Sequence, residues 1–182
     1  TIEYVVKSGS DRGEAALAVI GGIPVTQEYH QRVQDQHEHA SASMGRSINP
    51  ADPPLAARDP EDPRWADIAE RCLACGNCTM VCPTCFCSSV EDTTSLDGLE
   101  TERNRQWDSC FTLDFTHMHG GSTRTSTASR YRQWLLHKLV TWHDQFDMSG
   151  CVGCGRCLTW CPVGIDLTVE VAALAQAQRS MT

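Results

Sequence analysis

Eight of the eleven cysteines fall into two short runs that share one spacing. The first run is C-L-A-C-G-N-C-T-M-V-C-P, residues 72–83, and the second is C-V-G-C-G-R-C-L-T-W-C-P, residues 151–162. The spacing C-x2-C-x2-C-x3-C-P is typical of thiolates that hold [4Fe–4S] clusters. Three thiolates at steps of three can bind three corners of one cluster from a single tight loop. Two such runs therefore predict two [4Fe–4S] clusters.

The fourth cysteine of each run has a separate role. In two-cluster proteins with this pattern, the fourth cysteine binds the cluster of the other run. This rule assigns one cluster to Cys72, Cys75, Cys78 and Cys161, and the other cluster to Cys82, Cys151, Cys154 and Cys157. The two runs are far apart in sequence but must meet in space, and we expect no stable core without the metal.

A glycine follows the second cysteine of each run, at Gly76 and Gly155. Glycine adopts the left-handed backbone conformation without steric cost, and it lets backbone N–H groups approach the sulfur atoms. Such N–H groups stabilise an anionic cluster and tune its potential. Structural zinc is the alternative, but zinc takes four ligands in paired C-x2-C knuckles. It would leave the third and fourth cysteines of each run badly placed.

Three further cysteines, Cys85, Cys87 and Cys110, lie outside the two runs. Free cysteines are often buried small hydrophobic residues, and we expect these three to pack near a cluster. The alternative is a third metal site that takes a ligand from outside the chain.

Helices are expected on both sides of each run. One begins at Arg64 and leads directly into Cys72. An amphipathic helix over about 127–145 carries a buried stripe at helical spacing: Tyr131, Trp134, Leu135, Leu139 and Trp142. A last helix over about 168–179 follows the second run, with Asp166 as its N-cap. Its buried side is expected to comprise Leu167, Val171, Leu174 and Ala175.

The rest of the chain gives weaker signals. A short strand is expected over 2–6, and helices are expected over 10–20 and 26–42, the first capped by Ser10 and ended by Gly21 and Gly22. Five prolines make residues 46–64 a linker or strap without regular helix. Residues 88–125 are expected to be irregular, with a loop at 116–121. Three histidines lie in the polar helix, on a solvated face rather than at a zinc site: His30, His37 and His39.

Composition narrows the class of protein. A net charge of −8 argues against a nucleic-acid surface. An odd number of clustered cysteines without a signal peptide indicates a reducing compartment. The longest apolar run, 15–20, is too short to span a membrane. No nucleotide-binding loop and no nucleophile with an oriented base are evident. Two clusters without a catalytic site predict electron transfer, with a redox or iron sensor as the alternative from another class.

Several stretches together carry a family resemblance. They are C-P-T-C-F-C-S-S-V-E-D, R-Q-W-D-S-C-F, H-G-G-S-T-R, R-Y-R-Q-W-L-L-H-K and C-V-G-C-G-R-C-L-T-W-C-P-V-G-I-D-L. The series resembles the iron–sulfur β subunit of cytoplasmic sulfhydrogenases, which are NAD(P)-linked [NiFe] hydrogenases. It is similar also to the iron–sulfur electron-transfer subunit of anaerobic sulfite reductase. The resemblance covers about residues 65–175.

The resemblance implies a mainly α, α-helical-ferredoxin-like domain with two [4Fe–4S] clusters. This domain would span 65–182 with an insertion at 88–145, after the linker at 46–64. Residues 1–45 would be the remnant of an α/β region, in a chain that is part of a longer protein.

The resemblance also implies a role and partners. The chain would relay single electrons in the cytoplasm between a flavin subunit that binds FAD and NAD(P) and the small and large subunits of a [NiFe] hydrogenase. A sirohaem sulfite reductase subunit is the alternative terminal partner. The basic stretch at 124–132 is expected either to offset cluster charge or to bind a partner, or else to be a solvated helix edge.

Overall fold

The computed structural model describes residues 3–181, and the chain divides into two units, Thr1–Arg46 and Ser47–Thr182. Helices dominate both units. In the described part of the chain, no helix combines the length and the apolar character that crossing a membrane requires.

The first unit contains two helices in its described residues, α1 (Asp11–Ile20) and α2 (Gln27–Ala42). The Ser10 hydroxyl accepts a hydrogen bond from the Gly13 N–H at 3.2 Å, and α1 ends at Gly21, which has a φ of 74°, so the predicted cap and end are confirmed. The predicted strand over 2–6 is wrong for residues 3–6, which form no regular structure, and residue 2 lies outside the described residues. Within residues 3–46 there is no neighbouring strand with which this apolar stretch could pair.

Helix α2 is exposed along its length, and its three histidines are exposed. The predicted solvated face is therefore confirmed. Its polar side chains pair with each other at i, i+4 spacing, as in the 2.8 Å bond from Gln31 to Asp35.

The second unit contains seven α-helices, a 3-10 helix at Leu113–Thr116, a π-helical segment and two small sheets in its described residues. The helices are α3 (Asp52–Ala56), α4 (Arg64–Arg71), α5 (Asn77–Met80), α6 (Thr127–Leu136), α7 (Trp142–Phe146), α8 (Arg156–Thr159) and α9 (Leu167–Ser180). The strands are β1 (Ser88–Thr94), β2 (Thr101–Trp107), β3 (His117–Met118) and β4 (Gly121–Ser122).

The proline-rich segment forms a short helix, α3, where the sequence predicts none. Pro53 and Pro54 lie in its first turn, where a backbone N–H has no partner within a helix and its loss costs nothing. Helix α3 packs on α9, and Asp52 accepts a hydrogen bond from Arg179 at 2.5 Å. Much of the segment predicted as a linker therefore belongs to the second unit, where α3 packs on α9.

Helices α4, α6 and α9 form the hydrophobic core. The predicted stripe on the helix over 127–145 is buried as expected, and so is the apolar side of α9. The largest side chains with almost no exposure are Ile68, Leu135, Val171 and Leu174. Asp166 caps α9 as predicted, because its carboxylate accepts a hydrogen bond from the Thr168 N–H at 2.9 Å.

The helix over 127–145 has an interruption that its sequence does not reveal. Between α6 and α7, residues His137–Thr141 form a π-helical segment. In this segment Lys138 and Leu139, adjacent in sequence, are both buried. A π turn takes in one extra residue, and such insertions are frequent at functional sites.

Residues 88–107 form an antiparallel hairpin rather than the predicted irregular segment. Ser88 pairs with Trp107 and Thr94 with Thr101. Its strands are largely exposed, and Arg103 binds the Asp92 carboxylate through two 2.7 Å bonds across the strands. The predicted loop at 116–121 is a tight turn between β3 and β4.

Candidate metal centre

The first cysteine run begins where α4 ends. Helix α4 is oriented by the burial of Trp65 and Ile68, and the chain becomes extended at Cys72. Gly76 then adopts a left-handed conformation with φ of 74° and starts the short helix α5, so that Cys75 and Cys78 lie on either side of this turn. The tight loop predicted from the spacing is confirmed, and α5 is an addition to it.

The second run repeats this backbone. Gly155 has φ of 71° and starts α8, and Gly153 has φ of 66° at the position that corresponds to Ala74, with φ of 51°. Positive φ explains why glycine is found at Gly76, Gly153 and Gly155, the three glycines of the two runs. Helices α5 and α8 pack against each other, and the Asn77 side-chain amide donates to the Trp160 carbonyl at 3.1 Å. The two runs therefore meet in space.

A cavity collects cysteines from both runs. Its wall contains Cys72, Cys75 and Cys78 of the first run together with Cys161, the fourth cysteine of the second run. Cys157 also reaches this wall, and the apolar side is formed by Phe111, Tyr131, Trp134 and Ile165. Three cysteines of the first run and the fourth cysteine of the second thus line one cavity. This is the arrangement expected if the fourth cysteine of each run binds the cluster of the other run.

The other four cysteines also lie near one another. Burial first, and then the neighbouring Cys151, Cys82 and Cys154 thiolates, raise the pKa of Cys157 to about 11. In this second set Cys82 comes from the first run, and the other three cysteines come from the second run. This set therefore mirrors the set around the cavity.

The sulfur atoms have donors that suit cluster ligands. The Ala74 N–H donates to Cys72 Sγ at 3.4 Å, and the Ile165 N–H donates to Cys161 Sγ at 3.3 Å. Such N–H···S contacts stabilise a thiolate bound to an anionic cluster. The second cysteine of each run, Cys75 or Cys154, is exposed, so each set has one exposed member.

So many thiols lie close together that they are stable as thiolates only with positive charge beside them. Burial, followed by the charges of Cys72, Cys157, Cys75 and Cys161, raises the pKa of Cys78 far above its usual range. Bound metal ions would supply the missing positive charge, because metal binding displaces thiol protons.

The arrangement also bears on the zinc alternative. No three His, Cys, Asp or Glu side chains within residues 3–181 are grouped so as to hold a single metal ion. Two sets of four thiolates are the donors that two [4Fe–4S] clusters take. The donor set fits [4Fe–4S] clusters.

A buried cation, Lys138, lies against Cys82 and also hydrogen-bonds Cys85. Lys138 Nζ donates to Cys82 Sγ at 3.2 Å and to Thr84 Oγ1 at 3.0 Å. A hydrogen bond from Cys85 is the largest effect on Cys82, and with the Thr84 and Lys138 contacts it outweighs burial and lowers the pKa of Cys82 to about 4. The sequence marks Lys138 only as one of the basic residues that follow residue 123, together with Arg124, Arg130 and Arg132. Its position three residues after Leu135 and four before Trp142 places it beside the buried stripe.

The three remaining cysteines cluster beside these sets. Cys85 hydrogen-bonds Cys82, and this bond, followed by burial, raises the pKa of Cys85. Cys110 packs against the core and hydrogen-bonds Cys87, which lowers the pKa of Cys87 to about 6. These positions agree with the expectation that Cys85, Cys87 and Cys110 pack near the proposed cluster ligands.

The loop before Cys110 also supports the first run. Ser109 Oγ lies 2.7 Å from Thr79 Oγ1, and the Thr79 hydroxyl donates to the Gly76 carbonyl at 2.7 Å. A Cβ on Gly76 would lie 3.0 Å from Ser109 Oγ. The left-handed turn of the first run is therefore held by a residue of the insertion.

Comparison with known proteins agrees with this geometry. Residues 71–165 match the 4Fe-4S dicluster domain, and the chain belongs to that family. It is similar to the sulfhydrogenase 2 subunit beta of Pyrococcus furiosus, with 42% identity over 103 residues. The match covers 56% of this chain and 30% of that relative. No solved structure matches the chain.

Proposed function

We propose that this chain is the electron-transfer subunit of an oxidoreductase complex and that it holds two [4Fe–4S] clusters in an α-helical-ferredoxin-like domain. One cluster would be bound by Cys72, Cys75, Cys78 and Cys161, and the other by Cys82, Cys151, Cys154 and Cys157. The observation that carries the proposal is the cavity that joins three cysteines of the first run to the fourth cysteine of the second. Bound clusters accept and release one electron at a time.

The residues of the chain position and insulate the two clusters. The apolar wall formed by Phe111, Tyr131 and Trp134 limits access of water to the first set. Cys75 and Cys154 give each set an exposed member, where an electron can enter or leave. Leu73 and Val152, which follow the first cysteine of each run, are 64% and 63% exposed. Exposed apolar side chains beside an exposed cysteine suit the docking of a redox partner.

The partners are proposed from the similarity to a sulfhydrogenase β subunit. One would be a cytoplasmic flavin subunit with FAD and NAD(P), and the other the small and large subunits of a [NiFe] hydrogenase. Anaerobic purification of the native complex through a tag on this chain tests this. Nickel together with flavin is expected. Sirohaem absorbance without nickel would instead identify a sulfite reductase, and iron alone without a partner would favour a sensor.

The cluster assignment has its own test. Cys78→Ser and Cys161→Ser should remove the same electron paramagnetic resonance signal, although the residues belong to different runs. Cys82→Ser and Cys154→Ser should remove the other signal. Cys110→Ser is the control and should keep both. If Cys161→Ser and Cys154→Ser removed the same signal, the exchange of fourth cysteines would be wrong.

A further inference from the structure

Lys138 is a buried cation that contacts a proposed cluster ligand. The residue is only 4% exposed, although it carries the charge that proteins most rarely bury. Its ammonium group donates to Cys82 Sγ at 3.2 Å, to Thr84 Oγ1 at 3.0 Å and to the Gly150 carbonyl at 3.2 Å, and it also hydrogen-bonds Cys85. The side chain is thus fully satisfied without water, in a fixed position.

These contacts join both halves of one proposed ligand set. Cys82 ends the first run, and Gly150 immediately precedes Cys151 of the second. The Gly150 N–H donates to the Lys138 carbonyl at 3.0 Å, and the Thr84 hydroxyl donates to the Gly150 carbonyl at 2.6 Å. A Cβ on Gly150 would lie 2.7 Å from the Lys138 carbonyl oxygen and from the Trp142 ring. The close approach therefore needs glycine.

The π-helical segment accounts for how the lysine reaches this site. Lys138 lies within His137–Thr141, and its ammonium group lies 5.6 Å from the centre of the Trp142 ring, where a cation is attracted to the ring face. A π turn in the middle of a long helix costs hydrogen-bond geometry, and it is found mainly where a side chain is needed for function.

We propose that Lys138 is a positioning residue that raises the reduction potential of the cluster bound by Cys82. The proposal rests on the proposed function, since it needs Cys82 to be a cluster ligand. On reduction the cluster gains one electron and no proton, so its negative charge increases by one. A fixed ammonium group beside a ligand sulfur stabilises the more negative state more strongly, because the attraction grows with the charge and is poorly screened in the interior.

The two proposed clusters should therefore differ in reduction potential, with the higher potential at the cluster bound by Cys82. Cys161, the fourth cysteine of the other run, has the neutral Ile165 N–H as its donor at 3.3 Å, whereas Cys82 has a full charge in hydrogen-bond contact. On the other set, the buried Arg130 acts on Cys72 through its charge, while its guanidinium donates to Thr125 and Thr127. The cluster with Cys82 should be the easier of the two to reduce. Electrons from a chemical reductant or a partner subunit should therefore reside there first.

The test compares three variants of the full chain in its native complex. Lys138→Met removes the charge and keeps the length of the side chain, and Lys138→Arg keeps the charge. Arg105→Gln, on the exposed strand β2, removes one positive charge from a side chain that donates to Ser88 rather than to a proposed ligand, and it is the matched control. Redox titration followed by electron paramagnetic resonance gives both potentials, and iron analysis gives occupancy. The signal absent from Cys82→Ser identifies the cluster concerned.

We expect Lys138→Met to keep its iron and to make reduction of that cluster at least tenfold less favourable, about 59 mV for one electron. The other cluster and Arg105→Gln should change much less, and Lys138→Arg should stay near the natural potential. An unchanged potential with full iron in Lys138→Met would overturn the proposal. If Lys138→Met loses iron, Lys138→Arg decides: full iron at the natural potential supports the role of charge, and loss of iron refutes it.

This result is separate from a failure of the proposed function. If the natural protein contained no pair of clusters, the proposed function would fail before any potential was compared. If two clusters were present and insensitive to Lys138, only the inference about the lysine would fail.

Discussion

At the scale of single residues, charge inside the second unit is placed where it has a partner. Glu170, which is 2% exposed, accepts from Arg64 Nε at 2.7 Å and from Arg71 Nη2 at 2.8 Å. The two arginines lie at the start and end of α4, and Glu170 lies in the first turn of α9. This pair of contacts fixes the helix that leads into Cys72 against the helix that follows the second run.

Glu170→Gln should lower the free energy of unfolding by about 2 kcal/mol. The two hydrogen bonds lose their charge assistance, and the buried side chain then has one acceptor oxygen in place of two. Iron content should remain unchanged, since the arginines are partly exposed and can be solvated. Denaturant unfolding under anaerobic conditions measures the change. Glu70→Gln, at an exposed position of the same α4, is the control. Equal stability of the two variants would contradict a role for the buried carboxylate.

The cysteines were the most predictable residues, and Lys138 was the least. Ligand spacing is a local property, because a thiolate loop of fixed size must fit one cluster, so the eight proposed ligand positions could be derived from sequence. The position of Lys138 depends on a π-helical segment and on contacts with residues 54 positions or more away in sequence. Periodicity alone cannot reveal either feature.

At the scale of elements, helices with one apolar side were predictable and the hairpin was not. Helix α9 and the helix over 127–145 bury their apolar stripes, and this burial produces the period that the sequence shows. Strands β1 and β2 bury almost nothing, so S-S-V-E-D-T-T and T-E-R-N-R-Q-W show no alternation of apolar and polar residues. Their register depends on backbone pairing and on the Arg103–Asp92 contact instead.

The exposed hairpin should therefore be dispensable for cluster binding. Replacing Glu91–Asn104 with Asn-Gly, a turn that suits two-residue hairpins, should leave iron content and the thermal midpoint close to natural values. The base of the hairpin must stay, because the Asp108 N–H donates to the Cys87 carbonyl at 3.0 Å. Iron analysis and thermal unfolding check the expectation. Loss of a cluster in the shortened chain would show that the hairpin supports the site.

A shortened hairpin that keeps both clusters can also report on partners. If such a chain no longer assembled into its complex, the hairpin would be a docking element rather than part of the metal centre. A matched control is Arg103→Gln, which removes one cross-strand ion pair and leaves the strands in place.

At the scale of the whole molecule, the second unit combines a hydrophobic core with two sets of thiols. The core of α4, α6 and α9 touches the cysteines directly, and the residues packed against it include Cys72, Cys78, Cys151, Cys157 and Cys161. Clusters bound there would therefore form part of the same cooperative structure.

Removing iron should unfold much of the second unit. Without iron, the clustered thiols must be protonated and the loops of both runs lose the bonds that close them, so the metal contributes directly to folding free energy. Treatment with an oxidant and a chelator should lower the helical circular dichroism signal in step with the loss of iron. Reconstitution with iron and sulfide under anaerobic conditions should restore it. Full helical signal in iron-free protein would show that the core is stable alone.

The exchange of cysteines between the runs also bears on how the protein is made. The cavity that holds Cys72, Cys75 and Cys78 is completed by Cys161, which lies far downstream. During synthesis the ribosome must pass the entire insertion, including the hairpin and the π-helical segment, before that set of four ligands exists. A scaffold that delivers clusters would find three suitable thiols on the nascent chain but no complete site. Cluster insertion should accordingly be a late step, which follows the docking of the two runs and does not precede it.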